Sequence, residues 1–214
     1  RTPEKNIVTL EDPIEVQLPG ITQVGVNVKA GMTFAAGLRS ILRQDPDIIL
    51  VGEIRDADTA RMALRAAMTG HQVFSTLHSN CAVSAIARLT DLGVAPELLV
   101  GNLAAIVAQR LLRRLCLLCR VVDPDPPRHL WQATADAPPI YRAAGCPACD
   151  QTGYRGRFAV MEVLRLDPDL DEQIARRASP NEIRRMAASK GYQPLANDAL
   201  TRVRAGETSL AEVA

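Results

Sequence analysis

The chain has 214 residues, 47% of them hydrophobic, with 25 Lys and Arg against 24 Asp and Glu. That length and apolar content suffice for one full core plus a small appendage. The near-zero net charge gives no bulk electrostatic case for nucleic acid or an anionic membrane. No apolar run approaches the ~20 residues needed to cross a bilayer, so no transmembrane segment is expected. Arg1-Thr-Pro is not a signal peptide, and the absence of an initial Met leads to the expectation of a fragment. Five cysteines, an odd number in a chain without a signal, point to a reducing compartment, cytosolic in character, and to metal or free thiols over disulfides.

Asn6-Ile-Val-Thr-Leu-Glu-Asp12 predicts a short strand stopped by Pro13, and residues 16–28 alternate loosely as a β-hairpin or an excursion. Thr33 opens a helix through Gln44, with Phe34, Leu38, Ile41 and Leu42 on one face and Arg39 and Arg43 on the other. Ile48–Val51, an unalternating apolar run between Asp-Pro-Asp and Gly-Glu, has the pattern of a strand buried on both faces of a parallel sheet. Asp56 caps a helix through Thr69, with Gly70 suited to its C-terminal stop. Gln72–His78 predicts a third strand, followed by helices over 82–92 and 96–112. Strands alternating with helices imply an α/β fold with a parallel sheet and right-handed crossovers. Residues 115–149 break the pattern and look like loop. Residues 157–164 predict a strand, and 167–214 short helices, with Ser179-Pro-Asn-Glu182 a helix start.

Three predicted strands thus end in Glu11, Glu53 and His78. Ligands of open α/β sheets sit outside the carboxyl ends of the strands. A phosphoryl-transfer site needs one carboxylate to orient the attacking water, another to support Mg²⁺, and donors for the γ-phosphate. The plainer alternative is that strand-end polar groups cap neighbouring helices. Arg39 and Arg43 face either a nucleotide phosphate, a neighbouring subunit or only solvent. Arg55 is expected to pair locally with Asp56 and Asp58. Cys116-Leu-Leu-Cys119 and Cys146-Pro-Ala-Cys149, separated by 26 residues, match two knuckles of a structural Zn²⁺ site, with a redox dithiol as the rival. Cys81 is expected to be a small helix residue, and His129 and Trp131 take no assigned role.

At these residues a family resemblance emerges. Thr9-Leu-Glu-Asp-Pro-Ile-Glu15 resembles the Asp box of the secretion ATPase superfamily. Residues 42–56, with Gly52-Glu53-Ile-Arg55-Asp56, resemble its Walker B, and Thr69-Gly-His71 through Ser75-Thr76-Leu-His78 its His box. The two Cys pairs followed by Gly153-Tyr-Arg-Gly-Arg157 narrow the resemblance to the type II secretion and type IV pilus assembly ATPases. The resemblance implies a RecA-like P-loop NTPase core assembling as a homo-hexamer, cytoplasmic and peripheral to the bacterial inner membrane. Its expected partners are the membrane platform and cytoplasmic adaptors of the machine, and its work is moving pilin-like subunits with ATP and Mg²⁺. By the same analogy Glu11 polarises water, Glu53 supports Mg²⁺, and His78 senses the γ-phosphate. Arg39, Arg43, Arg88 and Arg157 contact nucleotide, and Asp12, Glu15, Gly52, Arg55, Asp56, His71 and Thr76 complete the motifs.

One part of that pattern is missing, because no G-x-x-x-x-G-K-[ST] occurs in the sequence. Without the backbone cradle and its Lys the β- and γ-phosphates lose their main ligands. The expectation is therefore the C-terminal part of such an ATPase, inactive alone. It divides into an ATPase core over 1–112, a tetracysteine element over 113–158 and a C-terminal strand and helical segment over 159–214. The rival readings are a non-catalytic zinc-bearing interaction module and a RecA-like DNA-handling motor, the latter disfavoured by the neutral charge.

Overall fold

The computed structural model of the protein describes residues 4–126 and 138–213, so His129 and Trp131 lie outside the described residues. The chain gathers into two compact units that interleave along the sequence: Arg1–Ile106 with Arg165–Ala187, and Val107–Leu164 with Ala188–Ala214. The segment after residue 164 is shared between both units.

The first unit is built on strands β1 (Ile7–Glu11), β2 (Thr22–Gly25), β3 (Ile48–Val51) and β4 (Gln72–Ser75). They form one parallel sheet in the order β2-β1-β3-β4. Helix α1 (Phe34–Ile41) is capped by Thr33, whose hydroxyl accepts the Ala36 N–H. It lays Phe34, Leu38 and Ile41 against Val8, Leu10, Ile49 and Val51. Helix α2 (Ala57–Met68) presents a small-residue stripe, Ala60, Ala63 and Ala66, all buried. Such a stripe has no bulky side chains to hold a neighbour off. Helix α3 (Ala82–Asp91) buries Val83, Ile86 and Leu89, and the short α4 (Pro96–Leu99) contacts α5 (Pro168–Ala175). Helix α6 (Pro180–Ser189) starts as the sequence predicts: the Ser179 N–H and hydroxyl both donate to the Glu182 carboxylate.

The second unit holds most of β5 (Ala105–Leu115), which pairs with β8 (Tyr154–Arg165), and a small antiparallel pair, β6 (Val121–Val122) with β7 (Tyr141–Arg142). Helix α7 (Leu195–Arg204) joins Ala199 to Leu112 and Val160 in one apolar cluster, and Val203 to Ile140 and Leu210 in another. Arg113 stacks 4.1 Å over the Tyr154 ring, and Arg120 stacks 4.4 Å over Tyr141.

Three sequence expectations need correction, and one pair of alternatives is decided. Residues 16–28 contain a single strand, β2, parallel to β1, and a tight hairpin cannot join parallel neighbours. The excursion is what forms. Helix α1 ends at Ile41, leaving Arg43 in the following turn. Strand β4 stops at Ser75, three residues short of His78. The helix expected over 96–112 is helical only to Leu99, after which Gly101 takes φ 69° and the chain becomes β5. Its inward residues Ala108, Leu112 and Leu115 are spaced by four and three, a helical spacing, so periodicity misleads there. Pairing with β8 overrides it.

Candidate functional site

The sheet sets the geometry. β1 and β3 are adjacent and parallel, with Leu10 opposite Val51, so Glu11 and the Gly52-Glu53 step leave the sheet at the same rim. Gly52 N–H donates to the Leu10 carbonyl at 2.8 Å. Thr76 ties the third tip to the second, its hydroxyl donating to the Gly52 carbonyl at 2.6 Å while its own carbonyl accepts the Ile54 N–H at 2.9 Å.

Glu53 is mostly buried, with its side chain 14% exposed, and it has two basic neighbours. Arg55 Nη2 lies 2.6 Å from Oε1 and His78 Nε2 lies 3.8 Å from Oε2. Arg55 therefore pairs with Glu53, not with Asp56 and Asp58 as the sequence suggests. Its guanidinium titrates above the usual range because of the Glu53 hydrogen bond and charge, with Asp12 adding to the field. Asp56 instead caps α2 through Thr59, and Asp58 pairs with Arg61. His78 is almost fully solvent-facing, its side chain 93% exposed.

Glu11 is held by Oε1, which accepts from the Thr9 hydroxyl at 2.5 Å and from Gln23 Nε2 at 2.9 Å. Thr9 opens the Asp-box stretch, whereas Gln23 lies outside every motif. The signal lies in strand parity, since Thr9 and Glu11 share one face of β1 and Gln23 is opposite Thr9 in register. His71 does a different job. Its Nδ1 sits 3.0 Å from the Ala66 carbonyl, an acceptor only, so that nitrogen carries the proton and the ring closes the end of α2. Glu15 is exposed in the 12–21 excursion.

The arginines are more scattered. Arg39 is exposed on α1. Arg43 is next to Gln44, whose carbonyl accepts from Asn6 at the amino end of β1, the rim opposite Glu11. Arg88 is exposed in the last turn of α3, and Arg157 lies on β8 in the other unit.

In the second unit Cys116, Cys119, Cys146 and Cys149 converge, all four sulfurs lying within 4.8 Å of one another. Neighbouring Sγ atoms are 3.9, 3.8 and 3.7 Å apart. A Zn–S bond of about 2.3 Å puts the sulfurs of a tetrahedron about 3.8 Å apart, so the donor set fits Zn²⁺. The separation also exceeds a disulfide bond, about 2.05 Å, and all four are free thiols. Burial pushes the Cys119 thiol up to about 12, with the other thiols adding to the rise. Burial acts the same way on Cys149, but the N–H groups of Cys146 and Gly153 outweigh it and bring that thiol down to about 6. Cys81, apart from this cluster, precedes α3.

A family model described as "Type II/IV secretion system protein" matches residues 1–214. The chain belongs to that family. Among curated relatives, the type II secretion system ATPase E of Vibrio cholerae is 47% identical over 98% of this chain and 42% of its own length. The type IV pilus assembly ATPase PilB of Thermus thermophilus is 46% identical over 99% of this chain and 24% of its own. This type II/IV secretion family chain thus spans between about a quarter and two fifths of the relatives it matches. Among solved structures, the pilus retraction motor PilT with bound ADP superposes with a TM-score of 0.68 at 27% identity, covering 98% of this chain and 51% of that one. The Yersinia pseudotuberculosis ATPase DotB shares the fold, with a TM-score of 0.67 at 24% identity over 99% of this chain and 49% of its own. The RecA-like α/β core, its tetracysteine element and the C-terminal helices are therefore as the sequence leads one to expect. No helix among the described residues is long and apolar enough to cross a membrane.

Proposed function

We propose that this chain is the C-terminal ATPase portion of a motor that couples ATP hydrolysis to movement of pilin-like subunits in type II secretion or type IV pilus assembly. The observation that carries the reading is the pair of carboxylates, Glu11 and Glu53, side by side at the carboxyl rim of a parallel sheet, with His78 close to the second. In this reading Glu11 orients and polarises the attacking water, and Glu53 supports Mg²⁺ and its water shell. The exposed His78 imidazole meets the γ-phosphate. Mg²⁺ bound there would be supported through Glu53 and would supply positive charge against the charge that develops on the phosphoryl group. Arg55 must give up part of its hold on Glu53 as the site fills.

These 214 residues hold no G-x-x-x-x-G-K-[ST], so in this reading the phosphate cradle is supplied from outside them. The working assembly is a homo-hexamer, cytoplasmic and docked at the inner-membrane platform and its adaptors. Arg39, exposed on α1, and Arg43, beside the amino end of β1, then serve a neighbouring copy's nucleotide, with Arg88 and Arg157 as further contacts. The ATPase core over 1–112 carries the chemistry. The four cysteines would hold a structural Zn²⁺ that ties the two knuckles together and takes no part in hydrolysis.

The test is steady-state ATP hydrolysis by the full-length, P-loop-bearing protein. Glu53→Gln should abolish turnover while ATP binding persists, and the 214-residue chain alone should show none. Full turnover in Glu53→Gln would sink the assignment.

A further inference from the structure

We infer that Gln23 is a positioning residue for Glu11, holding one carboxylate oxygen and leaving the other without a protein donor among the described residues; the inference rests on the ATPase reading above. Strand register creates the arrangement. Thr9 and Gln23 are partners across the parallel β1–β2 pair, and Glu11 stands two residues beyond Thr9 on the same face. A side chain of Gln's length at position 23 can then span to the carboxylate along the rim.

The orientation of the Gln23 amide follows from its partners. Its Oε1 accepts the Leu18 backbone N–H at 2.7 Å, and that partner can only donate. Its Nε2 donates to the Val16 carbonyl at 3.0 Å and to Glu11 Oε1 at 2.9 Å, and both of those can only accept. A flipped amide would put donor against donor and acceptor against acceptor. Every polar atom of the side chain is thus committed. The amide joins the 12–21 excursion to the carboxylate proposed to act on water.

The consequence is chemical as well as structural. Glu11 Oε1 takes two donors, from Thr9 and Gln23, while Oε2 takes none among the described residues. Two donors on one oxygen fix the rotation of the carboxylate plane and leave the second oxygen for a ligand. A carboxylate at position 23 would reverse this, placing like charges where an amide donor now stands. The excursion exposes Val16 at 64% and Leu18 at 47%, so anything that moves its backbone pulls on the same amide. Gln23 makes Glu11 sensitive to that loop.

The test compares Gln23→Leu and Gln23→Glu with Glu11→Gln in the full-length protein. Loss of orientation should lower kcat about tenfold to a hundredfold while KM for ATP stays within about twofold. A residue that only braces the fold would not produce that split. Wild-type kcat in Gln23→Leu, alongside loss in Glu11→Gln, overturns the inference and leaves the ATPase reading standing. Full turnover in Glu11→Gln overturns that reading and takes the inference with it. Should Gln23→Leu fail to fold, side-chain amide NMR of the unaltered 214-residue chain decides. Glu11→Ala should shift the Gln23 Nε2 resonances, and unchanged resonances would refute the bond in solution.

Discussion

The Leu10 carbonyl oxygen lies 3.0 Å from the point where a Cβ on Gly52 would sit, and the Glu11 Cα lies 3.4 Å from it. The same carbonyl accepts the Gly52 N–H at 2.8 Å, so the two strands touch backbone to backbone at the carboxylate rim. This closeness explains why the residue before Glu53 is Gly where a generic Walker B has an acid. There is no room for one. Gly52→Ala should force β1 and β3 apart by a few tenths of an ångström and destabilise the first unit by about 1–3 kcal/mol, as overpacking does. Urea unfolding of the 214-residue chain measures it, and a change under ~0.5 kcal/mol would show that the tips yield freely.

Removing metal should act on the second unit alone. Three of the sulfur–sulfur distances already match a tetrahedral zinc site and all four sulfurs lie within 4.8 Å, and the Cys146–Cys149 knuckle closes through Gly145 at φ 101° and Gly153 at φ 75°. A Cβ on Gly153 would come within 2.5 Å of the Ala143 Cβ, so the turn is committed to this shape. Metal analysis of purified protein should find about one Zn per chain. Cys146→Ser or a strong chelator should release it and raise amide exchange over 116–153, leaving β1–β4 protected. A zinc-free protein with the knuckles still protected would contradict the assignment.

How much of this was legible in the sequence depends on whether a residue acts through local chemistry or through a distant partner. Ile48–Val51, the Asp56 cap, the Ser179–Glu182 box and the four cysteines follow from run length, capping chemistry and spacing, and each is where the sequence puts it. β5 was illegible because its inward residues repeat at helical spacing and only β8, some fifty residues later, makes it a strand. The partner of Arg55 was misread for a related reason. Asp56 is nearer in sequence, but Asp56 is already spent on Thr59, and the turn after β3 aims Arg55 back at Glu53. Gln23 carries no motif at all, and its role appears only once β2 is known to run parallel to β1 in register.

Acid should loosen the second unit through Glu212. Its carboxylate accepts from Arg113 Nη2 at 2.5 Å, from Nε at 3.0 Å and from the Arg113 backbone N–H at 3.0 Å. The Arg113 side-chain bond holds its titration below the usual carboxylate range, and burial only partly opposes that. A group whose folded value is depressed adds stability above its unfolded value, about 4.3, and loses that contribution as pH falls through the folded value. Glu212→Gln should therefore cost roughly 1 kcal/mol at pH 7, discounted for the half-exposed Arg113. The cost should shrink toward zero below about pH 4. Thermal unfolding of both forms from pH 7 to 3 checks the sign, and a difference that grows on acidification would refute it.

Glu162 provides the sharper contrast between a charge and a hydrogen bond. It is 3% exposed on β8, and its Oε2 accepts the Leu195 N–H at 2.7 Å where α7 begins. No side-chain cap comes from Pro194 at that helix start. A first-turn N–H would otherwise be left without a partner inside the unit, a loss of about 1–3 kcal/mol. Across the same junction Asp198, in the first turn of α7, accepts the Met161 N–H of β8 at 2.9 Å. Strand and helix are thus joined by two reciprocal bonds, side chain to backbone in each direction. Glu162→Leu should cost about 2–3 kcal/mol through the orphaned donor, whereas Glu162→Gln, which keeps an acceptor oxygen at the same reach, should recover at least half of that loss. Equal destabilisation by the two substitutions would mean that the charge of Glu162, and not its bond to the Leu195 N–H, holds the junction.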